Sequence, residues 1–283
     1  MTLVTARILR GARFGAAGRA TRITRDTCNR FGRWGLEVGS WIALVVLSSG
    51  TAEAQEWFPR FDFHLAAEYV TSGDPRFNWL FDFGADLDVV HGDRVRAQFI
   101  ANYEAVAGEQ FRRFDVNQGN YMLEGALLFR VAGVELGPVW HHVSRHLSDR
   151  PKRFPIDWNM ISLRVRDAHT RGRLDMAWRA DARATVTNAF VDYSWELETQ
   201  AGLGYQLTPR FVVTAANTWR VVGVDGTRRR GTQLEGRVEV GVRMQGRAAA
   251  AELFIGAERR IDPYPIEFGT ASWLLAGLRL SSR

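Results

Sequence analysis

Residues 234–244 read Leu-Glu-Gly-Arg-Val-Glu-Val-Gly-Val-Arg-Met, and their order decides the fold. Glu235, Arg237, Glu239 and Arg243 alternate with Leu234, Val238, Val240, Val242 and Met244. A strand points successive side chains to opposite faces, so this segment has one charged face and one apolar face. The same period governs 81–89, where Asp82, Gly84, Asp86 and Asp88 alternate with Phe81, Phe83, Ala85, Leu87 and Val89. It returns at 193–201, where Ser194, Glu196, Glu198 and Gln200 alternate with Tyr193, Trp195, Leu197 and Ala201.

About twelve such segments are expected, near 60–70, 79–90, 95–105, 120–131, 134–146, 157–168, 174–185, 191–207, 211–222, 232–244, 247–258 and 270–281. Each is close to the ten residues a tilted membrane strand needs. Short connections (His91–Arg94, Ala132-Gly133, His169–Arg173, Thr208–Arg210, Gln245-Gly246) alternate with longer ones, of which Thr187–Phe190 is the least marked. An even strand number with alternating connections predicts an all-β fold: a transmembrane antiparallel β-barrel, with short turns and both termini on the periplasmic side. Beyond residue 54 no apolar run is long enough for a membrane helix. A soluble sandwich or lipocalin-like barrel shares the alternation with its faces reversed. Strand length argues against it. So do Trp79, Phe81, Trp140, Trp158, Trp178, Trp195, Trp219 and Trp273, which fall mostly near strand ends, as interfacial girdles do.

The charge of +6 is misleading until it is located. Of 37 basic and 31 acidic residues, eight and three lie in 1–54, which leaves 29 and 28 beyond. The basicity belongs to a leader, and no nucleic-acid partner is implied. Eight arginines from Arg7 to Arg33 form its n-region, Trp41–Leu47 an apolar h-region, and Ala52-Glu53-Ala54 a small-residue cleavage site before Gln55. The competing reading of 1–54 is an amphipathic arm. The domain expectation is therefore a signal peptide at 1–54 and a barrel at 55–283, exported to the outer membrane. The single cysteine, Cys28, falls in the leader, as suits an oxidising compartment.

The most unusual stretch is Trp140-His141-His142-Val143-Ser144-Arg145-His146-Leu147-Ser148-Asp149, which holds three of the six histidines. His142 and Ser144 share a face. A serine becomes nucleophilic when a base takes its proton, and a third group must orient that base. Across the following loop lies Asp157-Trp158-Asn159-Met160-Ile161. His142 and Ser144 continue the apolar row of Val134, Leu136, Pro138 and Trp140, and Asn159 continues that of Ile161, Leu163 and Val165. If His142 pairs with Asn159, three polar groups meet on the lipid-facing wall near the long-loop rim, where they are costly and need a reason.

The His-x-Ser strand followed by a Trp-Asn strand resembles outer-membrane phospholipase A, over about thirty residues from Leu136 to Val165 plus the strand count. The resemblance implies Ser144 as nucleophile, His142 as base and Asn159 as orienter, with phospholipid or lipid A acyl esters as substrate. It also brings calcium as a candidate cofactor and a homodimer as a candidate assembly. That family follows its serine with Asn-Gly-Arg, where this chain has Arg145-His146-Leu147. Arg145 or Arg150 would have to substitute. The lipid A 3-O-deacylases, smaller barrels, also use His-x-Ser on an outer wall. The run His142-x-Ser144-x-His146-Leu147-x-Asp149 is similar to a group of outer-membrane proteins.

Other expectations are plainer. His141 and His146, with Arg145, Arg150, Lys152 and Arg153, would meet lipopolysaccharide phosphates. Asp82, Asp86 and Asp88 would pair with Arg96, Arg164, Arg179 or Arg243 rather than hold a cation. His64 would be a lumen hydrogen-bonding group, and Arg228-Arg229-Arg230 a solvated loop patch. Partners would be outer-membrane lipids and the barrel assembly machinery. The weak match of Gly277 and Leu280 to an assembly signal lacks the usual final aromatic residue. The alternative to a hydrolase is a non-enzymatic barrel, either a narrow pore or a structural protein.

Overall fold

The computed structural model describes residues 55–148 and 153–282. The signal-peptide reading of 1–54 lies outside the described residues, as do Asp149, Arg150 and Lys152. The described chain forms twelve strands: β1 (Glu56–Val70), β2 (Trp79–His91), β3 (Val95–Gly108), β4 (Asp115–Val131), β5 (Val134–Leu147), β6 (Asp157–Arg171), β7 (Leu174–Ala189), β8 (Tyr193–Gln206), β9 (Phe211–Val224), β10 (Gln233–Gln245), β11 (Ala249–Ile261) and β12 (Thr270–Ser282). Each pairs antiparallel with its sequence neighbours. β1 closes on β12, from His64 opposite Ser281 to Val70 opposite Leu275. Closure leaves no unpaired strand edge, which a hydrocarbon environment demands.

The strands follow the expected segments closely. The largest difference is β4, which begins at Asp115 rather than near Asn120 because β3 and β4 stay paired out to Gly108 and Asp115. One of the two-residue turns is Ala132-Gly133, with φ of 50° and 89°. Positive φ at both positions gives the backbone twist that joins two right-twisted strands.

Side-chain exposure decides which face is which. Leu253, Ile255 and Leu274 point outward and are 67%, 61% and 64% exposed. Phe61, Phe63, Leu65, Val238, Val240 and Val242 join them on the outside. The charged residues point in. Arg164 is fully buried, and its Nε donates to Asp181 Oδ1 at 2.8 Å and its Nη2 to Glu124 Oε2 at 2.7 Å. An apolar exterior around a charged interior inverts a soluble barrel and fits a membrane-spanning one.

The lumen charges form extended paired groups. Arg183 and Arg179 both donate to Glu198, Arg220 to Glu196 and Glu235, Arg260 to Glu104 and Glu258, and Arg237 to Glu68. The aspartates of β2 are not their acceptors. Asp82 meets His64 and Asn102, each at 2.7 Å, and of the expected pairs only Asp88–Arg96, at 3.5 Å, forms. The reason is register: Arg164 lies directly opposite Asp181 on β7, nearer than β2.

Two of the expected girdle residues are not girdle residues. Trp158 and Trp273 point inward and are buried, whereas Trp79, Trp140, Trp178, Trp195 and Trp219 face outward. Gly236 lies opposite Trp219, whose ring fills the space a β-carbon would take. The Arg228-Arg229-Arg230 patch is likewise not simply solvated. Arg228 stacks 3.5 Å over Phe268, and Arg230 bridges Asp192 and Asp262. Asp262 also accepts from Tyr193 Oη at 2.7 Å, so the loops beyond β7, β9 and β11 are tied together.

Two substitutions test the face assignment. Ile255→Arg, at the middle of β11, is expected to destabilise the vesicle-embedded barrel by about 2–4 kcal/mol in urea titration. Arg164→Met takes one charged partner from Glu124 and Asp181, which keep His141 and Arg179, and is expected to cost about 1.5–3 kcal/mol in the same titration.

Candidate active site on the outer wall

The β5–β6 register sets His142 opposite Asn159 and Ser144 opposite Asp157. His142 Nδ1 and Asn159 Oδ1 are 2.9 Å apart. Asn159 Nδ2 donates to Thr187 Oγ1 on β7 at 3.0 Å. The amide oxygen is thereby aimed at the imidazole. It can only accept, so Nδ1 carries the proton and Nε2 keeps its lone pair. The Trp140 ring stacks on His142, with 5.9 Å between centroids and 11° between planes, and fixes the ring further.

Ser144 does not contact His142. Its Oγ lies 2.9 Å from His146 Nε2. His142, Ser144 and His146 occupy successive positions of one face, so the hydroxyl sits between two imidazoles and rotation about χ1 selects the neighbour. The row continues sideways across the wall. Phe83, Tyr103 and Tyr121 stand in register with Ser144, at centroid spacings of 4.9 and 4.6 Å, and Tyr121 meets His146 edge-on at 5.3 Å. His146 shares the serine's parity, a signal in the sequence that could have found it. Thr187 and the tyrosines needed the register of β6–β7 and β3–β5.

His141 and Arg145 belong to the opposite row. His141 is buried in the lumen, with Nδ1 2.8 Å from Glu124 Oε1. Arg145 Nη1 donates to the Asp262 carbonyl, and its guanidinium lies over Trp158. Neither stands on the outer row, so His141 and Arg145 are turned away from the expected phosphate contact, and Arg145 from the expected oxyanion role. Among the described residues no group of three His, Cys, Asp or Glu side chains could hold a metal ion.

No family model and no curated protein matches the chain. Solved structures match in shape. An outer membrane channel from Pseudomonas putida F1 aligns at a TM-score of 0.50 and 14% identity, over 83% of this chain and 98% of that one. Outer membrane phospholipase A from Escherichia coli aligns at 0.49 and 14%, over 80% and 98%. The Salmonella typhi outer membrane phospholipase dimer with bound calcium aligns at 0.48 and 13%, over 80% and 91%. At 14% identity the likeness to the channel is one of architecture: the chain has the fold of an outer-membrane β-barrel.

Proposed function

We propose that this barrel is an outer-membrane lipid acyl hydrolase whose site is Ser144, His142 and Asn159 on the lipid-facing wall. The observation that carries the reading is the His142–Asn159 hydrogen bond on an otherwise apolar surface, with a serine two residues along the same face. A polar trio in contact with hydrocarbon costs stability and gains nothing structural. It is well placed to meet an acyl ester in the adjacent leaflet.

In this reading the Ser144 hydroxyl turns from His146 to His142. Nε2 takes its proton as Oγ attacks the ester carbonyl, and Asn159 holds the imidazolium through Nδ1–H. The alcohol leaves with the proton from His142, and water releases the fatty acid from the acyl-enzyme. Residues 1–54 are the export signal, and the short turns and both chain ends face the periplasm. The site then lies towards the outer leaflet, where phospholipid or lipid A esters are the substrates. A second copy of the chain is a candidate partner on the wall.

A narrow pore is the second reading, favoured by one observation. Lumen cavities of about 520, 280 and 490 Å³ share Gln200 in their linings.

Fatty-acid release from phospholipid and from lipid A by refolded residues 55–283, with and without calcium, tests the hydrolase. Ser144→Ala is expected to abolish it, and His142→Asn to lower the rate by about 10²–10⁴-fold, the usual contribution of a general base. No release from the unsubstituted protein under any of these conditions would remove the enzyme reading. Single-channel recording in planar bilayers tests the pore: the hydrolase reading expects silence, and discrete conductance steps would support the alternative.

A further inference from the structure

We infer that the lumen carries, at its short-turn end, a binding site for a small organic oxyanion bearing carboxylate or phosphate groups. The inference is independent of the outer-wall chemistry. It rests on the cavity of about 520 Å³ that opens beside the Ala132-Gly133 turn. That volume lies within the range of small-molecule sites. Five arginines line it: Arg60, Arg96, Arg130, Arg166 and Arg179. The only acids in the lining are Glu135 and Asp167.

The key arrangement is three guanidiniums on one carboxylate. Glu135 receives Arg166 Nε at 2.8 Å, Arg96 Nε at 3.2 Å and Arg130 Nη2 at 3.8 Å. Asp62 pairs with Arg60, and Asp167 sits 2.6 Å from His169. Asp88 lies 3.5 Å from Arg96 and 3.8 Å from His91, and neither of its buried oxygens receives a hydrogen bond. Arg179 is held by Asp181 and Glu198. Within the Glu135 group, Arg96, Arg130 and Arg166 face two carboxylates, Glu135 and Asp88.

Donors are left over as well as charge. Arg166 Nη2 is buried with no hydrogen-bond acceptor, and Arg96 Nε is buried and out of line for a hydrogen bond to Glu135. A buried guanidinium N–H without an acceptor is costly, and an oxyanion in the cavity would supply one. Arg130 is 53% exposed at its side chain and stands at the mouth, placed to meet an incoming anion. The chemistry that fits here is planar, bidentate and anionic, which is what guanidinium forks recognise best.

Calorimetric titration of the detergent-refolded protein with citrate and with pyrophosphate tests the site, with lactose as the neutral control. Saturable binding of one or both anions is expected, and the preferred one tells carboxylate from phosphate ligands. Arg130→Gln is expected to weaken it about tenfold, the loss of one charge-assisted hydrogen bond. Arg166→Lys keeps the charge but removes the fork, and is expected to weaken it comparably without stranding Glu135. Arg228→Gln, at the opposite end, is the control and should bind as the unsubstituted protein does. Absence of binding by both anions would overturn the inference, as would full binding by Arg130→Gln and Arg166→Lys together.

Discussion

The β1–β12 seam is the contact on which everything else depends. In hydrocarbon no water can satisfy a free N–H or C=O, so an open twelve-stranded sheet would expose two unpaired edges at prohibitive cost. Closing the sheet removes them. It also creates an inside, and that inside permits every second residue to be charged. The outward row is then free to be apolar, and period two in the sequence becomes two solvents in space.

Against that division the outer wall of β5 and β6 is an exception. His142, Ser144, His146 and Asn159 stand on the row that Leu136, Trp140, Ile161 and Leu163 make apolar. Each polar group there has a partner: Asn159 for His142, Thr187 for Asn159, His146 for Ser144. Such pairing lowers the cost of the exception without explaining why it exists, and a chemical role does explain it. The lumen exception is of the opposite kind. Around Glu135 three guanidiniums, of Arg96, Arg130 and Arg166, face two carboxylates, Glu135 and Asp88.

What could be read from the sequence followed from what is local. Alternation at 81–89 or 234–244 is visible within one strand, and so are the row shared by His142 and Ser144 and the turn at Ala132-Gly133. The convergence with Asn159 needed only the next strand. Partner choice across the lumen was not legible, because it depends on the stagger of strands far apart in sequence. Asp82 was therefore assigned to arginines when its neighbours are His64 and Asn102. Trp158 and Trp273 were misplaced for a simpler reason. Their position near strand ends suggested the girdle, but their parity puts them inside, where Trp273 donates to Glu258 and Trp158 packs on Tyr193. His141 erred the same way, composition having outweighed parity.

The Glu68–Arg237 ion pair joins the first strand to the tenth, across 169 residues of chain. Before the seam closes, Glu68 has no such neighbour, while hairpin pairs such as Arg179–Glu198 can already form. The lumen pairs thus divide by their span of chain. The short-range members need only a hairpin, and the long-range members need the closed cylinder. Because loop closure over so many residues is entropically unfavourable, Glu68 and Arg237 act as a latch on the finished cylinder, and unfolding must break that latch before the first and last strands can part.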